Sequence, residues 1–305
     1  MTKAFDILVA GELNPDLILS GDVAPAFGQV EKLVDSADLV VGSSSAIFAC
    51  GAARLGLKVA FAGVCGADLF GRFMLEELTR RGIDVSGVRL DPDRPTGLSV
   101  ILNRGGDRAI LTHLGTIDRL QSEQVPEALL EQSRHLHVAS YFLQTALRPG
   151  LPGLFRRAHA LGLTTSLDTN WDPSGDWRGL DDLLCLADLF LPNENEALAL
   201  SGAANAEASA RKLAETCETV AVKLGARGAL ACRGGKTARA EALPIPVVDT
   251  VGAGDSFDAG FLFGWLDDWS LENSLRLGTV CGSLSTRSAG GTAAQPTLDE
   301  AKKYL

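Results

Sequence analysis

The chain has 305 residues, of which 46% are hydrophobic, and it carries a formal net charge of −10 at pH 7. A chain of this length and hydrophobic content can bury one large core. The acidic balance, with no Lys/Arg stripe to neutralise phosphates, argues against nucleic acid or an anionic membrane as a partner.

Short apolar runs rich in Val, Ile and Leu alternate along the chain with amphipathic stretches of helical period. In chain order the pattern predicts strands at 7–10 and 59–64, a helix at 69–81, a strand at 135–139, a helix at 156–161, strands at 164–168 and 188–192, helices at 194–200 and 206–215, a strand at 220–224 and a helix at 256–266. A capping box at 297–300 predicts a last helix. This alternation is typical of β-α-β units around a mostly parallel sheet.

Two segments, 16–42 and 97–114, do not fit this scheme. The second alternates apolar residues and predicts a hairpin closed by residues 103–107. The segment 234–237 ends like a phosphate-binding P-loop, but the required glycine is replaced by Leu230. We therefore interpret it as a turn between strands.

The chain contains six cysteines, which form no Cys-x-x-Cys motif and lie mostly within apolar runs. This distribution predicts reduced core residues. Asp6 interrupts the N-terminal apolar stretch, which is too short for a signal sequence, and no apolar run approaches the ~18 residues of a membrane span. We expect a cytoplasmic protein without a membrane partner.

The most informative segment is 249–262, which reads Asp-Thr-Val-Gly-Ala-Gly-Asp-Ser-Phe-Asp-Ala-Gly-Phe-Leu. Its small residues Gly252, Ala253 and Gly254 allow backbone N–H groups to converge at the start of a helix, where the helix dipole adds positive potential and an anion hole forms. Asp255 lies in the first turn and can accept a proton from a hydroxyl while the hole holds phosphoryl oxygens. The pattern indicates phosphoryl transfer.

The alternative is that Asp255 only caps the helix and that the glycines only form a turn. Asp249 and Asp258 flank the same turn, so three carboxylates crowd one short segment, and an apolar helix follows at once. Acids crowded at the start of a helix indicate bound cations or a tuned base.

This segment resembles the second signature of the ribokinase/PfkB-type carbohydrate kinase family. The resemblance continues in order from Gly11 to Gly291, through the segments 11–16, 51–56, 63–71, 95–97, 192–196 and 223–228. It implies one α/β unit over residues 1–305, a ribokinase-like three-layer α/β/α domain with a mostly parallel sheet. A small β-sheet lid is expected from parts of 12–42 and 95–115. The resemblance also implies an ATP-dependent kinase that phosphorylates a hydroxyl of a small sugar or polyol, and a homodimer formed through the lid.

For the acceptor, the resemblance implies sugar contacts from Asn14 and Asp16. Further expected substrate contacts are Gly42, Ser43, Ser44, Arg108 and Gln144. Where ribokinases carry Gly-Gly-Lys-Gly-Ala-Asn, this chain reads Gly-Ser-Ser-Ser-Ala-Ile at 42–47, so the pocket is reshaped. Three hydroxyls suit a polyol, and the absence of Lys or Arg there disfavours a phosphorylated substrate. Arg104 and Arg108 lie in the expected lid and could reverse that inference.

For ATP and Mg²⁺, the resemblance implies three further elements. Lys223, Gly225 and Gly228 are expected to border the phosphates and adenine, and Gly282 to lie near the adenine pocket. Asn193 and Glu196 are expected to organise Mg²⁺ through water. The alternative is an N-capped helix start, and the two roles are compatible. Asp168 and Asn170 match an Asp-x-Asn element near the same cleft or a plain Asx turn. Asp249 and the Val251 carbonyl, with the loop 287–291, would hold K⁺.

Two other functions remain open at this point. The first is a nucleoside kinase of the same fold, in which Phe48, Phe142 or Trp171 would stack on a base. The second is a non-catalytic nucleotide or sugar sensor. The presence of Asp255 argues against a sensor, because binding alone does not require a base.

Overall fold

The computed structural model of the chain describes residues 3–104 and 107–305. Gly105 and Gly106, in the predicted hairpin turn, lie outside the described residues. The strands are β1 (Phe5–Ala10), β2 (Pro15–Ser20), β3 (Ser36–Val41), β4 (Val59–Gly66), β5 (Asp84–Asp91), β6 (Leu98–Arg104), β7 (Asp107–His113), β8 (Ser133–Val138), β9 (Thr164–Leu167), β10 (Leu189–Phe190), β11 (Thr219–Lys223), β12 (Ala229–Arg233) and β13 (Lys236–Ala240). The α-helices are α1 (Ser44–Arg54), α2 (Leu69–Arg80), α3 (Glu127–Glu131), α4 (Leu151–Ala160), α5 (Asp181–Leu184), α6 (Glu194–Ser201), α7 (Ala206–Leu213), α8 (Ala253–Leu266), α9 (Leu271–Ser285) and α10 (Leu298–Ala301).

Nine strands form a large sheet in the order β13-β12-β11-β10-β9-β8-β1-β4-β5. The pairs from β11 to β5 are parallel, whereas β11, β12 and β13 pair antiparallel. The turn from β12 to β13 contains Gly234 and Gly235, both with positive φ, as predicted for this P-loop-like segment.

Helices cover both faces of the large sheet, so its inner strands are buried and apolar. All eight residues of β4 are buried. One core cluster joins the sheet to α1, α2, α8 and α9, and a second joins it to α3 to α7. The expected three-layer α/β/α architecture is confirmed. No described helix combines the length and apolar composition needed to cross a membrane.

The switch point of the large sheet lies at β1, which pairs with β8 on one side and β4 on the other. In parallel sheets, ligands bind outside the carboxyl ends of the strands at such a point. The segments that follow β1, β8, β9 and β11 therefore converge at one edge. Gly11 to Asp16, Ser140, Asp168 to Asn170 and Lys223 all lie there.

A separate small sheet has the order β3-β2-β6-β7, with β2 and β6 parallel and the other pairs antiparallel. Because side chains alternate along a strand, its two faces differ. One face carries Asp16, Ile18 and Arg108, and Ile18 is 2% exposed against the large unit. The other face is apolar. The predicted hairpin is present as β6 and β7.

The cysteines are all free, and five of the six are buried. Cys185, which lies beyond the end of α5, is exposed and departs from the expectation of a core residue.

Candidate active site

The turn before α8 has the conformation that its glycines permit. Gly252 has a φ of 71°, and α8 begins at Ala253. A Cβ at position 252 would lie 2.6 Å from the Gly291 Cα and 2.8 Å from the Ile47 Cγ2, so both the backbone and the space require glycine. The first N–H groups of a helix have no intrahelical acceptor, and the helix dipole adds positive potential there. This backbone suits an anion. The Ile47 side chain lies beside Gly252 and Gly291.

Asp255 lies in the first turn of α8 and is 7% exposed. The Ser44 side chain acts on its carboxylate and lowers its pKa. Burial raises the pKa of Asp255 well above its ordinary range, the negative charges of Asp168 and Glu12 raise it further, and Lys223 opposes them. A carboxylate with a raised pKa is suited to accept a proton near neutral pH.

Lys223, at the end of β11, holds two further carboxylates beside the start of α8. Its Nζ donates to Asp168 Oδ2 at 2.7 Å and to Asp258 Oδ2 at 3.0 Å. Burial lowers the pKa of Lys223, but the charges of Asp168 and Asp258 outweigh it and raise the pKa. Oxygens of Asp168, Asp255 and Asp258 lie within 4.8 Å of one another.

The pKa values of Asp168 and Asp258 shift in opposite directions. Burial raises the pKa of both carboxyls, but Lys223 and the hydrogen bonds outweigh burial at Asp168 and lower its pKa. The pKa of Asp258 stays well above its ordinary range. These opposite directions favour the ionised form of Asp168, beside Lys223, and the neutral form of Asp258.

Asn193 and Glu196 form a capping box at the start of α6. Asn193 Oδ1 accepts from the Glu196 N–H at 3.0 Å, and the Asn193 N–H donates to Glu196 Oε2 at 2.8 Å. A β-bridge joins Asn193 to Lys223, so these two predicted elements are adjacent. Burial raises the pKa of Glu196 to about 7, with a further contribution from Asp168. The capping alternative is present, and a metal role through water stays a prediction.

Glu12 is a buried carboxylate that the sequence analysis did not single out. It is 3% exposed. Its Oε1 accepts from Ser140 Oγ at 2.8 Å and from the Ser45 N–H at 3.2 Å, and its Oε2 accepts from Ser45 Oγ at 2.5 Å. Its backbone carbonyl accepts from Ser43 Oγ at 2.6 Å, and the same hydroxyl caps α1 by accepting from the Ala46 N–H.

These contacts correct the prediction that three serine hydroxyls face the acceptor. The hydroxyls of Ser43 and Ser45 are occupied by Glu12, so the structure gives Ser43 a capping role. The Ser44 hydroxyl instead lies between Asp255 and Asn170, whose Nδ2 donates to it at 3.1 Å. Of the three, Ser44 is the one placed beside the candidate base.

The small sheet contributes one wall of the site. Asn14 Nδ2 donates to Asp16 Oδ1 at 3.4 Å, and a Cβ at Gly42 would lie 2.1 Å from that oxygen. Burial raises the pKa of Asp16 to about 7, while Arg108, on the same face of the sheet, lowers it. The structure thus brings together four of the predicted substrate residues.

Asp249 connects the turn before α8 to the C-terminal loop and the small sheet. Its Oδ1 accepts from the Val251 N–H and its Oδ2 from the Gly290 N–H, both at 3.0 Å. Arg108 Nη1 lies 3.6 Å from Asp249 Oδ1 and 3.4 Å from Thr250 Oγ1. The segments expected to hold K⁺ are therefore in contact with one another, and K⁺ itself stays a prediction.

The backbone explains why glycine occupies the positions that were predicted to border the nucleotide. Gly225 and Gly228 flank a turn after β11 with φ of 58° and 83°, and a Cβ at 228 would lie 1.9 Å from the Ala240 carbonyl oxygen. Gly282 lies inside α9, where a Cβ would lie 2.9 Å from the Ala253 carbonyl oxygen. Gly282 therefore lets α9 approach the start of α8, and its nucleotide contact stays a prediction.

Gln144 is buried near Gly11, at the end of β1. It is 1% exposed, and its Nε2 donates to the Ala139 carbonyl. Its Oε1 has no partner among the residues that the structure describes. Its contact with substrate stays a prediction.

The three aromatic residues considered as stacking partners for a base differ in solvent exposure. Phe48 is fully buried and stacks on His137 with ring centroids 3.7 Å apart, and Phe142 is 5% exposed. Trp171 is 60% exposed and packs edge-on against Trp177. Only Trp171, of these three, presents a ring to a ligand.

Two important residues escaped the sequence analysis. Glu12 lies in the quoted segment 11–16, at the carboxyl end of β1, and a carboxylate at that position was an available signal. Ser140 gave no comparable signal, because its role depends on contacts with Glu12 and Asn170 from other strands.

Comparison with known proteins agrees with this architecture. A family model described as pfkB family carbohydrate kinase matches residues 5–298. A ribokinase of Haemophilus influenzae is 29% identical over 308 residues, which cover 98% of each chain. A crystal structure of a putative Ribokinase II from E. coli in complex with ATP and Mg²⁺ has a TM-score of 0.88 at 22% identity and covers 98% of each chain. An adenosine kinase from Sinorhizobium meliloti has a TM-score of 0.83 at 26% identity, covering 94% of this chain and 95% of that chain.

Proposed function

Because the chain belongs to the pfkB family of carbohydrate kinases, we propose that it transfers the γ-phosphoryl group of ATP to a hydroxyl of a small, uncharged sugar or polyol, with Asp255 as the general base. The observation that carries this proposal is the placement of Asp255. It is a buried carboxylate with a raised pKa, in the first turn of α8 and directly after the turn at Gly252.

In the proposed reaction, the N–H groups at the start of α8 hold the transferring phosphoryl oxygens. The acceptor hydroxyl gives its proton to the Asp255 carboxylate. Its oxygen forms a bond to the γ-phosphorus, and the bond from the γ-phosphorus to the bridging oxygen breaks, which releases ADP. Ser44 acts on the base and lowers its pKa.

The acidic groups around Lys223 are chemically suited to Mg²⁺, which prefers oxygen ligands and keeps several waters. We propose that Asp168 and Glu196 hold the ion through water. When bound, Mg²⁺ neutralises charge on the phosphates. Lys223, Gly225 and Gly228 border the same edge of the large sheet and are the proposed surroundings of ATP.

The small sheet is the proposed lid over the acceptor, since Asp16 and Arg108 lie on the face turned toward the large unit and Asn14 directly precedes β2. Closure over the acceptor would exclude water, which competes for the phosphoryl group. The buried acids Glu12 and Asp16 disfavour an anionic acceptor, and Arg108 lies 3.6 Å from Asp249. These features support an uncharged acceptor over a sugar phosphate.

A nucleoside kinase is the second candidate, because the exposed ring of Trp171 follows Asn170 at the same edge. In that case the base would stack on Trp171. In a sensor, the same groups would bind ligands without turnover.

The test is ADP release from Mg²⁺-ATP with a panel of free sugars, polyols, nucleosides and sugar phosphates, and with Asp255→Asn as the blank. We expect turnover with a free sugar or polyol that the variant loses. A nucleoside as the best acceptor would favour the second candidate, and a sugar phosphate would contradict the proposed acceptor class. ATP binding without turnover on any acceptor would favour a sensor.

We also propose that the apolar face of the small sheet is covered by a second copy of the chain. Cross-strand pairing aligns Leu39, Leu17, Val100 and Leu111 in one row on this face. Leu111 is 60% exposed and Leu39 is 36% exposed. A contiguous apolar face of this kind is typical of an interface.

We expect the chain to be a dimer in solution. Leu111→Asp should shift it to a monomer, because dimer formation would then bury a charge in the apolar interface. Light scattering after size-exclusion chromatography measures this. The matched control is Leu90→Asp, which changes a leucine 47% exposed on β5 of the large sheet. A monomeric wild-type chain, or equal effects of both variants, would contradict the proposal.

A further inference from the structure

Three residues with unusual backbone conformations meet on the acceptor side of the site. Ser43, Ser140 and Asn170 have φ of 67°, 52° and 51°. They are half of the six non-glycine residues with positive φ in the part of the chain that the structure describes. Such conformations persist only where their surroundings hold them, and they concentrate at functional sites.

Glu12 contacts two of these residues directly. Its Oε1 lies 2.8 Å from Ser140 Oγ and 3.1 Å from Ser43 Oγ. It also accepts two hydrogen bonds from Ser45, through the N–H and the hydroxyl. One carboxylate therefore ties the carboxyl end of β1 to the start of α1 and to the segment after β8.

The third strained residue is held through Ser140. The Ser140 N–H donates to Asn170 Oδ1 at 2.8 Å, which directs the other end of the amide toward Ser44. Asn170 Nδ2 donates to Ser44 Oγ at 3.1 Å, and the Ser44 side chain lowers the pKa of Asp255 against the effect of burial. Hydrogen bonds thus run from Glu12 through Ser140 and Asn170 to Ser44, whose hydroxyl acts on the candidate base.

The backbone of Ser44 is also held by hydrogen bonds of the residues before and after it. Its neighbours Ser43 and Ser45 both bond to Glu12, so the backbone that carries the Ser44 hydroxyl is held at both ends. No lysine or arginine among the described residues forms an ion pair with Glu12. Burying a carboxylate without a cation costs free energy. A residue whose only role was to stabilise the fold would not need to be a carboxylate.

We propose that Glu12 is a positioning residue of the phosphoryl transfer. It holds Ser44 and Asn170 in the orientation in which they align Asp255 with the acceptor hydroxyl. This inference rests on the proposed function, in which Asp255 is the base. Glu12 itself does not contact the reacting atoms in this scheme and acts through Ser140 and the serines of α1.

The test compares Glu12→Gln with Asp188→Asn. Asp188 is a matched control because its carboxylate accepts from the Thr165 N–H, the Thr165 hydroxyl and His159, at the opposite edge of the large sheet. An amide at position 12 keeps the volume but replaces one of the two accepting oxygens with an NH₂ group, so the hydrogen bonds from Ser43, Ser45 and Ser140 must share one oxygen or rearrange. We expect Glu12→Gln to lower kcat/KM for the acceptor by roughly 10- to 100-fold, with the KM for ATP unchanged within about twofold. Asp188→Asn should change neither parameter, although both variants lower the melting temperature.

A double-mutant cycle separates positioning from general weakening. If Glu12 acts through Ser140, then Ser140→Ala should add little to the loss already caused by Glu12→Gln. Fully additive losses in acceptor kcat/KM, or a kinetic profile equal to that of Asp188→Asn, would overturn the proposal.

A crystal structure of Glu12→Gln provides a readout that does not depend on activity. We expect the hydrogen bond between Asn170 and Ser44 to be broken. An undisturbed contact would overturn the positioning role even if no acceptor were found. Failure of the wild-type chain to turn over any acceptor would instead contradict the proposed function.

Discussion

Replacement of Asp255 by Asn is expected to lower kcat by roughly 10²- to 10⁴-fold, since the acceptor proton loses its base. The affinity for ATP should stay within a few-fold, because the amide keeps the volume and the backbone of the first turn of α8 is unchanged. Steady-state kinetics with the best acceptor and nucleotide binding by calorimetry measure both. Near-normal turnover in Asp255→Asn would remove Asp255 from its proposed role.

The matched comparison is Asp258→Asn, one turn later on the same helix. Asp258 is also buried and also has a raised pKa, but it bonds to Lys223 and Asp168. We expect its loss of kcat to be at least about tenfold smaller than that of Asp255→Asn. Equal losses would mean that the carboxylate cluster, and not one base, determines the rate.

The pH dependence follows from the raised pKa of Asp255, which burial, Asp168 and Glu12 cause. Since the base acts when ionised, kcat/KM should fall as pH is lowered through this raised pKa, and Asp255→Asn should lack that limb. A carboxyl with a raised folded pKa contributes stability at low pH that is lost as pH rises through that pKa. Asp255→Asn should therefore be at least as stable as the wild type at neutral pH, by denaturant unfolding.

Lys223→Met is expected to destabilise the fold by about 3–5 kcal/mol, because it leaves the buried Asp168 charge without its cation. Lys223 Nζ bonds to both Asp168 and Asp258, and those carboxylates are each 1% exposed. The free energy of unfolding from urea titration measures the effect. Adding Asp168→Asn to this variant should restore most of the stability, since it removes the uncompensated charge.

The control for this change is Lys212→Met, whose Nζ makes one hydrogen bond, to the Ser201 carbonyl at 2.6 Å. We expect it to cost about 1 kcal/mol. If Lys223→Met kept full stability and raised only the KM for ATP, then Lys223 would serve as a nucleotide ligand, as the family resemblance implies, and its ion pairs would be secondary.

Local pattern predicted most of the sheet and several helices. Alternating apolar runs placed β4, β9 and β11 within two residues of their observed ends, and the run at 98–111 placed the β6–β7 hairpin. Hydrophobic periodicity alone did not predict α1, which consists mostly of small residues and is buried on nearly all sides. It also did not predict α9, which packs on α8 through glycines. Such helices lack the polar face that makes a helical period visible.

The sequence by itself determined the family, the α/β architecture, and the turn and carboxylate at 252–255, because these depend on residue types close together in the chain. Glycine conformation, helix start and dipole are local properties. The network around Glu12 and the opposite pKa shifts of Asp168 and Asp258 were decided only by the tertiary structure. They depend on strands β1, β8, β9 and β11 ending at one edge of the sheet, where burial removes water and makes neighbouring charges and hydrogen-bond donors determine each group's state.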